Sequence, residues 1–151
     1  MDLQNKYAPK SICFGCGPAN DHGLKIQSIP DGDNVYAVFQ PQSHHHAFPN
    51  ILSGGIIGTL LDCHSNWTAA WAIMNNRNEI QPPCTVTAKY TVNLLKPCPT
   101  KTPVKLIASI VESNNKKAII KSELIADDII CATCDGIFIA VEEGHPAYNR
   151  W

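Results

Sequence analysis

Residues 51–72 read ILSGGIIGTLLDCHSNWTAAWA, and the way this stretch is periodic decides the fold. Ile56, Ile57, Leu60, Leu61, Trp67, Trp71 and Met74 recur at helical spacing, and Ala69, Ala70 and Ala72 add helix propensity, so one long helix is expected from Ser53 to about Asn76. The opposite face carries Thr59, Asp62, Cys63, Asn66 and Ala70, a narrow stripe of small side chains with a single carboxylate. That stripe is too short and too uncharged for an ordinary solvent face. A carboxylate in such a place needs a partner or a task, because burying an unpaired charge is costly. Its partner could be as near as Thr59 or Asn66.

Outward from the helix the period changes. After Pro82-Pro83, Val86, Ala88, Tyr90, Val92 and Leu94 alternate with Thr85, Thr87, Lys89, Thr91 and Asn93, the signature of a half-buried strand. Strand-like runs follow at 104–112, 117–126 and 129–141, with the connections Ser113-Asn114-Asn115-Lys116 and Asp127-Asp128 short enough for antiparallel hairpins. Upstream, Gly23–Ile29 and Val35–Phe39 read as two strands joined by a turn over Pro30–Asn34, and residues 1–22, rich in Pro, Gly and Cys, read as an irregular N-terminal arm. One long helix among about six antiparallel strands is an α+β arrangement in which the sheet wraps the helix, the hotdog fold. The 151 residues suffice for one domain, 1–151, with a substantial core.

Twelve Lys+Arg against thirteen Asp+Glu give a formal charge of -1, and the cations are scattered, so the charge pattern offers no footprint for nucleic acid or an anionic membrane. The expected partner is a small molecule. No apolar run approaches the roughly 18 residues that cross a bilayer, and MDLQNKYAPKSICFGC lacks the basic-then-apolar pattern of a secretory signal, so the expected location is the cytoplasm. Seven cysteines in a reducing compartment are thiols or metal ligands before they are bridges.

Three motifs together resemble one family. The segment 13–24, CFGCGPANDHGL, is similar to the C-x-x-C-G-x-x-N-x-x-G-L opening of hotdog acyl-CoA thioesterases of the phenylacetic-acid-pathway type and their thioesterase-superfamily relatives. Residues 53–62, SGGIIGTLLD, resemble their H-G-G helix start with the same eight-residue step from first glycine to Asp, and 87–97, TAKYTVNLLKP, resembles their T-A strand closed by Pro. The resemblance implies an acyl-CoA substrate, with Gly54 giving its backbone N–H to the thioester carbonyl, Asp62 as general base or nucleophile, and Thr87 positioning water or Asp62. Gly55, Ser53, His46 and Asn66 are the accompanying substrate-binding candidates.

Physical chemistry agrees with these roles. Thioester hydrolysis puts negative charge on the carbonyl oxygen, and the unpaired N–H groups of a glycine-rich helix start can meet it. Eight residues at about 1.5 Å each put Asp62 roughly 12 Å along the axis from Gly54, too far for both to act on one thioester. Asp62 must then come from a second copy of the helix, as the resemblance also implies, so a homodimer with two composite sites is expected, and a tetramer built as a dimer of dimers is compatible.

The family's usual His is Ser53 here, which keeps the ability to cap the helix and loses an imidazole. His46, in the triplet His44-His45-His46 that precedes the helix, is the candidate replacement, and the alternative for that triplet is a solvated loop. A non-catalytic acyl-CoA binder and a hydroxyacyl-thioester dehydratase stay open as other functions, the latter with its helix acid expected at the position Thr59 occupies. No cofactor or metal is expected: the pairs Cys13-x-x-Cys16 and Cys131-x-x-Cys134 would form a zinc site only if the fold joined them, the first pair is read as packing the arm, and Cys63 as a small buried apolar residue.

Overall fold

The computed structural model describes residues 1–151. The expected long helix runs Gly54–Arg77 (α2) and ends where Asn78 turns into the left-handed region at φ 53°, its N–H returning to the carbonyls of Asn75 and Met74. Pro82-Pro83 just beyond cannot resume a helix. Leu60, Leu61, Trp67 and Ile73 are fully enclosed, and truncating either leucine to Ala is expected to cost about 2–5 kcal/mol.

The strands are Ile29–Asp31 (β1), Asn34–Phe39 (β2), His46–Phe48 (β3), Ile51–Leu52 (β4), Thr85–Leu94 (β5), Val104–Ser113 (β6), Lys117–Ala126 (β7) and Ile129–Ala140 (β8). Six of them form one antiparallel sheet in the order β1-β2-β6-β7-β8-β5, and α2 packs against β5, β6, β7 and β8. The α+β arrangement expected from the periodicities is present. Alternate residues of β7, Ala118, Ile120, Ser122, Leu124 and Ala126, are buried, as one inward face requires.

Three local readings need correction. The first expected strand, Gly23–Ile29, is not a ladder strand until Ile29: Leu24, Ile26 and Ser28 alternate inward, but the N–H groups of Leu24 and Ile26 donate to the arm carbonyls of Phe14 and Gly15, which leaves the segment tied to the arm. The arm itself is not wholly irregular, because Leu3–Tyr7 forms a short helix (α1) capped by the Asp2 carboxylate, with Gln4 bonded to Ser28 in the interior. The β1–β2 turn is tighter than expected, with only Gly32-Asp33 between the paired residues Asp31 and Asn34, and Gly32 takes the positive φ of 61° that such a loop demands.

The edge strand β5 carries a bulge: the ladder with β8 slips between Thr87 and Lys89, so Ala88 is an extra residue. Before the slip Thr85 and Thr87 bond to α2 side chains, and after it Val92 packs against the core. Tyr90 and Leu94 are left exposed along an edge with no neighbouring strand.

Candidate active site

Asp62 stands at the eighth position after Gly54, on the side of α2 that β5 covers. Its Oδ1 accepts a hydrogen bond of 2.6 Å from the Thr87 hydroxyl. The bulge at Ala88 follows directly, as expected where a strand must aim one particular side chain. Burial raises the Asp62 carboxyl above its usual range, the Thr87 hydroxyl opposes that, the Cys13 sulfur adds to it, and the Arg150 guanidinium opposes it. The outcome is a carboxylate with more affinity for a proton than a surface Asp, which is what a general base needs.

Neither of the local partners suggested by the sequence holds Asp62. Thr59 donates its hydroxyl to the carbonyl of Gly55, one turn back along its own helix. Asn66 is committed to β5: its Oδ1 accepts from the Thr85 hydroxyl at 2.7 Å and its Nδ2 donates to the Thr85 carbonyl at 3.4 Å. Both ends of that amide are occupied within the fold, so Asn66 anchors the strand that presents Thr87.

At the other end of the step, Gly54 opens onto an apolar cavity of about 310 Å³ between the helix start, the β3–β4 hairpin and the segment after β5. Phe48, Ile57 and Leu94 are among its walls, and Lys96 is its one charged lining residue. No carboxylate or imidazole lines it. A Cβ on Gly54 would stand 3.1 Å from Leu94 Cδ1, at the cavity mouth, whereas one on Gly55 would meet only ordinary contact with Ser53 Oγ at 3.7 Å. Within one chain, then, Gly54 and Asp62 do not share a cavity; α2 runs unbroken between them.

Ser53 occupies the N-cap position without capping: its hydroxyl makes no bond to a first-turn N–H, contrary to the expectation for a Ser there. Its backbone does the work instead, accepting from Ile57 N–H at 3.0 Å and donating its own N–H to the carbonyl of His45 at 2.9 Å. In the triplet it is His45 that turns inward, its Nδ1 accepting the Gln42 N–H at 2.9 Å and its ring 5.3 Å from Phe39. Burial, followed by the neighbouring charges of His44 and His46, lowers its proton affinity. His46 is half-buried on β3, paired with Leu52, and does not line the Gly54 cavity.

One cluster was not anticipated. The Sγ atoms of Cys13, Cys16 and Cys63 lie within 4.8 Å of one another, so the N-terminal pair meets the helix cysteine beside Asp62 rather than Cys131 and Cys134. The Cys16 and Cys63 thiols, with the backbone amides of Cys16 and Gly15, hold the Cys13 thiol far below its ordinary value, while Cys13 raises both of its neighbours. The sequence carried a hint of this: Cys63 is the only thiol on the helix stripe, and a C-x-x-C-G knuckle in the arm was available to meet it.

Arrangement and neighbours agree. The thioesterase superfamily protein from Shewanella loihica PV-4 superposes with a TM-score of 0.69 at 27% identity, covering 83% of this chain and 98% of that one. This is a hotdog-fold chain, and its structural neighbours are thioesterase-superfamily proteins. Other structural neighbours are the E. coli PaaI protein from the phenylacetic acid degradation operon, at TM-score 0.66 and 14% identity over 79% of this chain and 81% of that one, and the BH2602 protein from Bacillus halodurans with CoA, at TM-score 0.64 and 22% identity over 80% and 76%. These two likenesses concern the fold alone. No protein-family model matches the sequence, and no curated protein matches it. No helix of this hotdog chain is long and apolar enough to cross a membrane.

Proposed function

We propose that this hotdog protein is an acyl-CoA thioesterase of the cytoplasm whose site is shared between two copies of the chain. The observation that carries the reading is the Asp62–Thr87 pair: a half-buried carboxylate, held by one hydroxyl at 2.6 Å and tuned toward a higher proton affinity, with no structural ion pair to explain it. One neighbour named as a thioesterase superfamily protein and another described with CoA support the substrate class.

In this reading the acyl-thioester carbonyl lies at the α2 start of one protomer, where the Gly54 N–H stabilises the negative charge that develops on its oxygen. The other protomer's Asp62 takes a proton from water as the water oxygen attacks the carbonyl carbon. The tetrahedral intermediate collapses, the C–S bond breaks, and the proton passes to the CoA sulfur, giving acid and thiol. Thr87 keeps the carboxylate oriented. The apolar cavity beside Gly54 suits an acyl or pantetheine arm, and the exposed edge of β5 is the surface on which the second copy would pair. A dehydratase is disfavoured because the residue at its helix-acid position, Thr59, has its hydroxyl bonded to the Gly55 carbonyl.

The test is thiol release from a panel of acyl-CoA and aryl-acetyl-CoA thioesters, followed by subunit mixing. Asp62→Asn and Gly54→Val should each be inactive alone. Mixed and allowed to exchange, random pairing should restore about a quarter of the wild-type activity, since half the dimers are hybrids and each hybrid holds one intact site. A mixture no more active than its parents refutes the shared site. Absence of any Asp62-dependent thiol release across the panel refutes hydrolysis, and stabilisation by acyl-CoA without release would then identify a binder.

A further inference from the structure

We infer that Cys13, Cys16 and Cys63 form a binding site for one thiophilic divalent cation, Zn²⁺, which clips the N-terminal arm to the helix turn that carries Asp62. Such a site is independent of the thioesterase reading.

Geometry comes first. A tetrahedral Zn²⁺ with Zn–S bonds of about 2.3 Å places its sulfurs about 3.8 Å apart, and Cys13 Sγ lies 3.8 Å from Cys63 Sγ, with Cys16 completing a group inside 4.8 Å. The local chain is a knuckle: Gly17 N–H donates to the Cys13 carbonyl at 2.8 Å, closing the C-x-x-C turn. Both glycines of Cys13-Phe14-Gly15-Cys16-Gly17 are required by space, because a Cβ on Gly15 would collide with the Cys63 sulfur and one on Gly17 with the Cys13 backbone.

The second line is the polarity of what surrounds the sulfurs. The Trp67 indole, which can only donate, gives its Nε1–H to Cys16 Sγ at 3.3 Å. Donors aimed at sulfur suit a thiolate ligand, the role that outer-shell hydrogen bonds play around metal sites. Other cysteines of the same chain show the reverse: Cys98 faces the Pro99 carbonyl and Cys131 the Pro97 carbonyl, so their S–H groups are donors, as in thiols that only fill space. Trp67 is itself fixed by stacking on Trp151, with centroids 4.3 Å apart.

Binding is an exchange without redox chemistry: three S–H protons leave to solvent, three Zn–S bonds form, and the fourth tetrahedral position goes to a water molecule. A Cys13–Cys16 disulfide accounts for the cluster less well, since it would leave the Cys63 sulfur unused against the gap that Gly15 creates.

The experiment uses the full chain purified under reductant and without chelator. Metal analysis should find about one zinc per chain, and Co²⁺ added to the stripped protein should give thiolate-to-cobalt charge-transfer absorption. Cys13→Ser and Cys63→Ser should each weaken zinc retention at least about tenfold, while Cys84→Ser retains it. Because Cys63→Ser alters a packed helix, alkylation of the wild type is measured beside it: zinc should protect Cys13, Cys16 and Cys63 together. Folded wild-type protein with no zinc and no cobalt band, zinc retained undiminished in both variants, or a reductant-free intact mass lower by two hydrogens per chain would overturn the site.

Discussion

His64 offers a test that needs no substrate. It is wholly buried on α2, where the hydrogen-bond directions interlock: Gln4 Nε2 donates to Ser28 Oγ at 2.9 Å, Ser28 Oγ donates to His64 Nδ1 at 2.8 Å, and His64 Nε2 donates to the Val35 carbonyl at 3.0 Å. Only the neutral Nε2–H tautomer satisfies this chain, since a proton on Nδ1 would leave the Ser28 hydroxyl hydrogen without an acceptor. Burial accordingly lowers the His64 pKa to about 4, against 6.5 for an exposed imidazole. The folded state therefore binds its proton later than the unfolded state as pH falls, so the contribution of His64 is complete above pH 6.5 and is lost progressively toward pH 4. Linkage puts the loss at about 2 kcal/mol by pH 5 and about 3 kcal/mol by pH 4. Urea unfolding of wild type and His64→Gln between pH 8 and pH 5, both stripped of metal and kept reduced, isolates this group because all other titrations cancel in the difference. The wild type should lose about 2 kcal/mol more than the variant over that range. Equal losses in the two proteins would refute the buried neutral imidazole.

Further outcomes concern the site and the edge. Thr87→Val removes a hydrogen bond to an ionised group, about 1.5–3 kcal/mol, so the acid limb of the kcat/KM pH profile, already above the ordinary carboxylate range, should move up by a further 1–2 pH units; an unmoved limb would separate Thr87 from Asp62. Gly54→Ala places a methyl 3.1 Å from the flexible end of Leu94, so the fold should survive with Tm nearly unchanged while thiol release falls at least about tenfold; full activity would exclude close approach of substrate to that amide. Light scattering or sedimentation should find the wild type dimeric or larger, and Tyr90→Glu on the exposed edge of β5 should shift it toward monomer and abolish activity with unchanged circular dichroism; a monomeric, active wild type would refute the shared site.

The long helix, the number of strands in the main sheet and their antiparallel connections were legible because each is written in a local period, whereas the short β3–β4 hairpin was not. The 3.6-residue recurrence from Ile56 to Met74 gave α2 within a residue or two, and the alternation in 117–126 gave β7. Gly23–Ile29 misled because its alternation records burial alone, and whether an inward-facing segment joins a ladder depends on which carbonyls its N–H groups meet. Ser53 misled for a similar reason: a residue type suited to capping does not cap when its hydroxyl is turned away from the first-turn amides.

By itself the sequence determined that one carboxylate, Asp62, would lie on a buried helix, and that eight residues of helical rise would keep it away from the glycine pair at the helix start. Tertiary structure decided what surrounds it. That Asp62 is held by Thr87 rather than by Thr59 or Asn66 follows from β5 packing along α2, and that Cys63 meets Cys13 and Cys16 follows from the arm crossing α2. Both are contacts between residues distant along the chain. Their formation is set by the packing of whole elements, for which local periodicity carries no information.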